Sequence, residues 1–154
     1  MAYMSSDAFG MDDGEASCFL CAEDQGADDE PRVVHRGRHS FVILNAYPYN
    51  TGHVLIAPNR HVADLESLNE EERLEIMELT TRSTTVIREA MGAQGFNVGM
   101  NLGQAAGAGV PGHVHVHVVP RWGGDTNFMP VVGKTKVLPE MLADTYAKLR
   151  PGFG

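Results

Sequence analysis

The chain has 154 residues, a formal net charge of −8 and two cysteines. This length suits one domain with its own core, and the lack of an apolar run of about 18 residues argues against a membrane-spanning helix. No basic block indicates a nucleic-acid partner, and the low cysteine content excludes a disulfide framework and favours the reducing cytoplasm.

The negative charge is concentrated at the N-terminus, where residues 1–31 contain no Lys or Arg. The rest of the chain is close to neutral. Residues 1–16 are small, acidic and without a hydrophobic period, which predicts a disordered tail. They also lack the basic start and apolar block of a secretory signal. A single domain is therefore expected over 17–154.

Three strands are predicted before the first long helix. The runs 32–36 and 39–45 flank Gly37-Arg38, which is a hairpin signal. After a turn cluster, a third strand over 53–58 ends at a proline. His53, at the start of this strand, is expected to be buried and hydrogen-bonded near the functional site.

One long helix follows a short helical turn that is predicted over 62–68. Asn69 and Glu72 have the spacing of a capping box, and Gly92 is typical of a helix end. The inner stripe that we predict for this helix comprises Leu74, Met77, Thr81, Thr84, Ile87 and Met91.

The C-terminal part completes a sheet. We predict strands over 96–101 and 128–132, a strand that begins at His113, and a last helix over 139–149. The fold class is therefore α+β, an antiparallel sheet with one long helix and a short C-terminal helix.

The strand that begins at His113 carries three histidines in strict alternation with valines. Successive side chains on a strand point to opposite faces, so His113, His115 and His117 share one face while the valines enter the core. Buried imidazoles need polar partners, so this face is where function is expected. Two chemistries remain open. The rings could bind a metal, or one of them could attack phosphorus, because a neutral imidazole is a nucleophile whose phosphoryl adduct stays labile to water.

The loop before these histidines favours phosphate. Residues 101–112 contain four glycines and three alanines. Such a loop brings backbone N–H groups close to an anion, although a plain flexible connector is the alternative.

Cys18 and Cys21 form a CxxC pair, which is half of a zinc site, a redox pair or a chance spacing. The absence of a βαβ context disfavours the redox option. A tetrahedral site needs two further ligands, for which we take His61 and His113. Such a structural zinc would tie the N-terminus to the sheet.

These motifs together resemble the histidine triad (HIT) superfamily of nucleotide hydrolases and transferases. The resemblance runs from about Cys18 to Asp125. It is closest to the Fhit-like and bacterial diadenosine-tetraphosphate phosphorylase branch. The segments that carry it are His113-Val-His-Val-His-Val-Val119, Gly52-His-Val-Leu-Ile-Ala-Pro58, Gly95-Phe-Asn97, Asn45-Ala-Tyr-Pro-Tyr-Asn-Thr-Gly-His53 and Pro120-Arg-Trp-Gly-Gly-Asp-Thr-Asn-Phe128.

The resemblance implies a HIT-like homodimer that acts by covalent catalysis on a small nucleotide. His115 would attack the α-phosphate and form a nucleotidyl-histidine, and His117 would contact a phosphate oxygen and protonate or orient the leaving group. Asn45 would bind ribose and Asn101 phosphate. The resemblance implies a structural zinc and no organic cofactor, and the zinc ligands of the family match Cys18, Cys21, His61 and His113.

One departure from many family members lies in the loop, where no hydroxyl side chain stands between Asn101 and His113. Leaving-group assistance is therefore expected from Gln104 or from backbone N–H groups, such as those of Gly107 and Gly109. The expected reaction is cleavage of a nucleoside phosphoanhydride or phosphoramidate, with dinucleoside polyphosphates favoured. The alternatives are a metallohydrolase that uses all three triad histidines as ligands, a phosphorylase that uses inorganic phosphate, and a non-catalytic purine-nucleotide-binding protein.

Overall fold

The computed structural model describes residue 14 and residues 17–24, 31–126 and 140–154. Apart from Gly14, the predicted tail over 1–16 lies outside the described residues, as does the strand predicted over 128–132. None of the helices in the described ranges combines the length and the apolar character that crossing a membrane requires.

In the described part of the chain, five antiparallel strands form one sheet: β1 (Val33–Arg36), β2 (Ser40–Leu44), β3 (Val54–Pro58), β4 (Gly95–Met100) and β5 (Val116–Arg121). Their order across the sheet is β1-β2-β3-β5-β4. The helices among the described residues are α1 (Phe19–Asp24), α2 (Glu70–Met91) and α3 (Leu142–Leu149), with short 3-10 turns at Gln104–Ala106 and Arg150–Phe153. The predicted α+β class, with one long and one short C-terminal helix, is confirmed.

The two faces of the sheet have different partners. On β3, Val54 and Ile56 belong to the core that packs under α2, whereas Leu55 and Ala57 pack with Cys18 and its neighbours on the opposite face. This follows from the two-residue period of a strand. Leu55 pairs directly with His117 of β5, so this histidine lies on the same face as the cysteines.

The predicted capping box of α2 is confirmed, but its inner stripe is largely wrong. Asn69 Oδ1 accepts from the backbone N–H of Glu72 at 2.9 Å, and Gly92 ends the helix with φ +66°. Leu74 and Met77 are 62% and 65% exposed, however. Three of the buried residues are polar ones that an apolar period misses, namely Glu72, Thr80 and Ser83. The other buried residues of the helix are Ile76, Leu79, Val86 and Ile87, of which only Ile87 belongs to the predicted stripe.

Two local predictions also differ from the structure. Residues 62–68 contain bends and a turn in place of the predicted short helical turn. Regular strand pairing begins at Val116 and not at His113. Pairing with β3 stops at Ile56 and Val116, and the backbone N–H of Val114 instead donates to Val62 O at 2.7 Å. The valines at 114, 116 and 118 nevertheless all enter the α2-side core, as predicted.

Glu75 of α2 joins the long helix to the β1–β2 turn. Its carboxylate accepts from the backbone N–H of Arg38 at 2.9 Å, from that of His39 at 2.6 Å and from the hydroxyl of Ser40 at 2.6 Å. Burial raises the pKa of Glu75, but these hydrogen bonds outweigh it and hold the pKa below its usual value.

We therefore expect Glu75→Gln to lower the free energy of unfolding by about 2 kcal/mol at pH 7, since charge-assisted hydrogen bonds are lost. Because the folded pKa lies below the unfolded one, the wild-type advantage is complete above the unfolded pKa and fades as the pH falls through the folded pKa. Urea unfolding at pH 7 and pH 3 measures this difference in the free energy of unfolding between wild type and variant. Glu78→Gln, at an exposed position of the same helix, is the control. Equal losses in the two variants at pH 7 would contradict this role.

Candidate functional site

His115 is held by the backbone just before β5. Its ring is 5% exposed, and its Nδ1 lies 2.8 Å from the carbonyl oxygen of His113. A carbonyl can only accept, so Nδ1 carries the proton and Nε2 of the neutral ring does not. The arrangement leaves Nε2 as a nucleophile or acceptor.

His117 has the opposite tautomer because of His53. The backbone N–H of Tyr49 donates to His53 Nδ1 at 3.1 Å, so the proton of the neutral His53 ring is on Nε2. This Nε2 lies 2.9 Å from His117 Nδ1, which must therefore accept. The proton of neutral His117 is then on its Nε2. The rings of His115 and His117, with centroids 4.9 Å apart, thus offer an acceptor and a donor side by side.

The pKa of each ring is lowered from its ordinary value, which favours the neutral form. Burial lowers the pKa of His115, partly opposed by its hydrogen bond to the His113 carbonyl. Burial, followed by the charge of nearby His115, lowers the pKa of His117 to about 4. Neutral rings keep the tautomers described above at physiological pH.

The polar residues predicted to bind substrate lie on two loops. Asn45 is beside this cluster, with its Nδ2 3.4 Å from His53 Nδ1. Asn101 spans the glycine-rich loop, where its Nδ2 donates to the carbonyl of Gly107 at 3.5 Å. Gln104 and Gly109 are exposed, and Gly107 adopts φ +85°. The loop leads directly into His113, which places it at the start of the histidine segment.

Four predicted metal ligands come together at the other end of this face. The ligand atoms of Cys18, Cys21, His61 and His113 all lie within 4.8 Å of one another. His113 Nδ1 is 3.4 Å from each sulfur, and His61 Nδ1 is 3.4 Å from Cys21 Sγ. Neither cysteine forms a disulfide.

This donor set fits zinc. Zn–S and Zn–N bonds of about 2.3 and 2.0 Å at tetrahedral angles place sulfur and nitrogen roughly 3.5 Å apart, close to the separations found here. His113 Nε2 lies 2.8 Å from the carbonyl of Pro58, which fixes its proton there and leaves Nδ1 for a metal. Because both nitrogens of His113 are engaged in this way, the three triad histidines do not converge on one metal. The metallohydrolase alternative is therefore not supported by the geometry.

Two features of the site were not predicted from the sequence. The Tyr49 ring is 54% exposed and lies against His117, with centroids 5.8 Å apart and planes at 11°. Asp125 also accepts from Asn50 and Arg121, at 2.8 and 2.6 Å. The spacing of Arg121 and Asp125 is a signal for the ion pair, but no local pattern points from Asp125 back to Asn50. Trp122 packs against the core, and its indole N–H donates to Met91 O at 3.3 Å.

The chain is similar in sequence to a known family and to proteins of known name. The family model of the HIT domain matches residues 28–124. A Mycobacterium tuberculosis protein named AP-4-A phosphorylase is 48% identical over 121 residues, covering 79% of this chain and 62% of the relative. The Schizosaccharomyces pombe bis(5'-nucleosyl)-tetraphosphatase (asymmetrical) is 36% identical over 90 residues, covering 58% of this chain and 49% of the relative. The chain thus spans less than two thirds of the length of either protein.

A solved structure shares both the fold and most of the length. The Zn-bound histidine triad family protein from Mycobacterium smegmatis has a TM-score of 0.75 and 28% sequence identity. The alignment covers 91% of this chain and 95% of that one.

Proposed function

Because the chain belongs to the HIT domain family, we propose that its domain over 17–154 is a nucleotidyl hydrolase or transferase that cleaves a dinucleoside polyphosphate. The observation that carries the proposal is the pair of opposite tautomers. His115 presents an unprotonated Nε2, and its neighbour His117 presents an N–H. A nucleophile beside a hydrogen-bond donor is what displacement at phosphorus requires.

The proposed reaction has two displacements. His115 Nε2 attacks the α-phosphorus, an N–P bond forms, and the P–O bond to the leaving nucleotide breaks with its electron pair on oxygen. Water then attacks the same phosphorus, the N–P bond breaks, and a nucleoside monophosphate leaves while Nε2 regains its lone pair. His117 donates to a phosphoryl oxygen in both steps, where negative charge develops.

The loops are proposed to bind the rest of the substrate. Asn45, beside His53, contacts the ribose. Asn101 and Gln104 contact phosphate oxygens together with backbone N–H groups at Gly107 and Gly109, since glycine permits close approach of the backbone to an anion. The left-handed Gly107 supports this arrangement.

We further propose that Cys18, Cys21, His61 and His113 hold a structural zinc. The support is the tetrahedral spacing of the four donors, together with the zinc in the M. smegmatis relative. The metal would cross-link the segment that begins α1 to the loops beside the sheet. No organic cofactor takes part in the proposed reaction. A cytoplasmic location is consistent with two reduced, metal-binding thiols.

A homodimer is proposed through β4, which is the last strand of the sheet in the described part of the chain. Val98 on this strand is 51% exposed. Pairing with a second copy would satisfy backbone groups at the edge and cover this side chain.

Inorganic phosphate is the second acceptor to consider, because the M. tuberculosis relative is named a phosphorylase. Diadenosine tetraphosphate should give AMP and ATP if water is the acceptor. If phosphate is the acceptor, ADP and ATP should form, and ADP should form only when phosphate is added. Chromatography of products with and without phosphate separates the two acceptors. Tight AMP binding with no turnover of any dinucleotide under either condition would contradict the proposed enzyme.

A further inference from the structure

An ion pair at the end of β5 lies outside the proposed chemistry but is connected to it. Asp125 accepts from Arg121 at two points, Nε at 2.6 Å and Nη2 at 2.9 Å, and its side chain is only 12% exposed. Arg121 also donates to Asn97 Oδ1 on β4 at 2.8 Å. The carboxylate is therefore fixed to the two last strands of the described sheet.

The same carboxylate binds the turn that precedes β3. Asn50 Nδ2 donates to Asp125 Oδ2 at 2.8 Å and to the Pro120 carbonyl at 3.0 Å. These two bonds cross from the turn to the end of β5, 70 and more residues further along the chain. The turn is thus held against the strand that carries His117.

The backbone of this turn sets the histidine pair. The carbonyl of Asn50 accepts from the backbone N–H of His53 at 3.1 Å. The adjacent Tyr49 N–H donates to His53 Nδ1, and His53 Nε2 lies 2.9 Å from His117 Nδ1. Moving the turn would release Tyr49 N–H from His53, and the tautomers of both histidines would no longer be fixed.

We propose that Asp125 is a positioning residue: through Asn50 it holds the turn bearing Tyr49 and His53, and thereby orients His117 towards the substrate. The consequence for turnover rests on the proposed function, whereas the consequence for the histidine tautomers does not. Asp125 does not contact substrate in this account. Its negative charge and second oxygen matter because an amide would weaken the charge-assisted bonds to Oδ2 and would set an NH2 donor against Arg121 Nη2, which now donates to Oδ1.

Two variants test the proposal in the full chain. Asp125→Asn weakens both sets of bonds, and Asn50→Ala removes the link to the turn while leaving the ion pair intact. The matched control is Glu140→Gln, which breaks an ion pair of similar burial between Glu140 and Lys148, 2.8 Å apart on the C-terminal segment. Circular dichroism confirms that each variant folds.

Nitrogen NMR of the histidine rings is the first readout. In wild type we expect the Nε2–H tautomer for both His53 and His117. In Asp125→Asn and Asn50→Ala we expect averaged tautomers, and in Glu140→Gln the wild-type spectrum. With diadenosine tetraphosphate, kcat should fall about tenfold in the two variants while KM stays within about twofold, because geometry and not affinity is lost.

Unchanged ring tautomers in both folded variants would overturn the proposal, whatever their kcat. A wild-type kcat in variants with averaged tautomers would overturn it as well. If the wild-type protein turns over no dinucleotide and forms no adduct, the proposed function fails, but the spectra still decide the role of Asp125.

Discussion

Replacing His115 by alanine is expected to lower kcat for diadenosine tetraphosphate by at least ~10³, because the acceptor nitrogens of the neighbouring His53 and His117 rings are already hydrogen-bonded and cannot replace it as nucleophile. His115→Gly should behave in the same way. His115 lies in the segment in which valines alternate with histidines. The valines of this segment belong to the core under α2, and the histidines do not. The folded structure should therefore survive the change, which unfolding curves can verify.

The control for this variant is His39→Ala. His39 lies at the β1–β2 turn, where its Nε2 is 3.7 Å from a carboxylate oxygen of Glu71. Its loss should leave kcat within about twofold of wild type, as is usual for a surface change. Near-normal turnover in both His115 variants would remove the covalent mechanism, and steady-state kinetics with purified protein would show it directly.

Loss of the metal site should have the second large effect, on stability. Removal of zinc by a chelator, or Cys21→Ser, is expected to lower Tm by about 10 °C. Binding at 1,000 times Kd contributes about 4 kcal/mol, and each kcal/mol shifts Tm by about 2–4 °C for a chain of this length. Differential scanning calorimetry measures Tm, and metal analysis measures the bound zinc. Added zinc should restore the Tm of the chelated wild type but not that of the variant.

The time course of inactivation separates a structural from a catalytic metal. A structural zinc predicts that turnover at low temperature persists after chelation and fails only as the protein unfolds. Immediate and complete loss of activity, at a temperature where the chelated protein is still folded, would mean that the metal takes part in the reaction. A wild-type Tm and no bound zinc in untreated protein would contradict the metal site altogether.

The sequence was sufficient to predict the five strands of the described sheet, because most of them are short apolar runs bounded by turn residues. The alternation from His113 to Val118 correctly places valines in the core even where regular pairing has not begun. The helix stripe failed for a physical reason. Glu72 and Ser83 are buried on the inner face because their polar atoms are satisfied locally, by Arg60 and by the Leu79 carbonyl. An apolar period cannot detect such residues.

Parts of the candidate site were equally visible in the sequence. The CxxC pair and two further histidines were predicted as one cluster, and the structure brings them together. The contact between His53 and His117 depends on β3 lying beside β5, which is a property of the sheet and not of either segment. Asp125 and Asn50 are 75 residues apart, so their link could only be found from the folded chain.

Mass spectrometry of the protein during turnover tests the covalent intermediate most directly. Wild-type protein mixed with diadenosine tetraphosphate and quenched in base, where phosphoryl-histidine bonds survive better than in acid, should carry one adenylyl group. Peptide mapping should place it on His115, and His115→Ala should carry none. An unmodified His115 in protein that is quenched while it turns over substrate rapidly, or an adenylyl group on a different residue, would contradict the account.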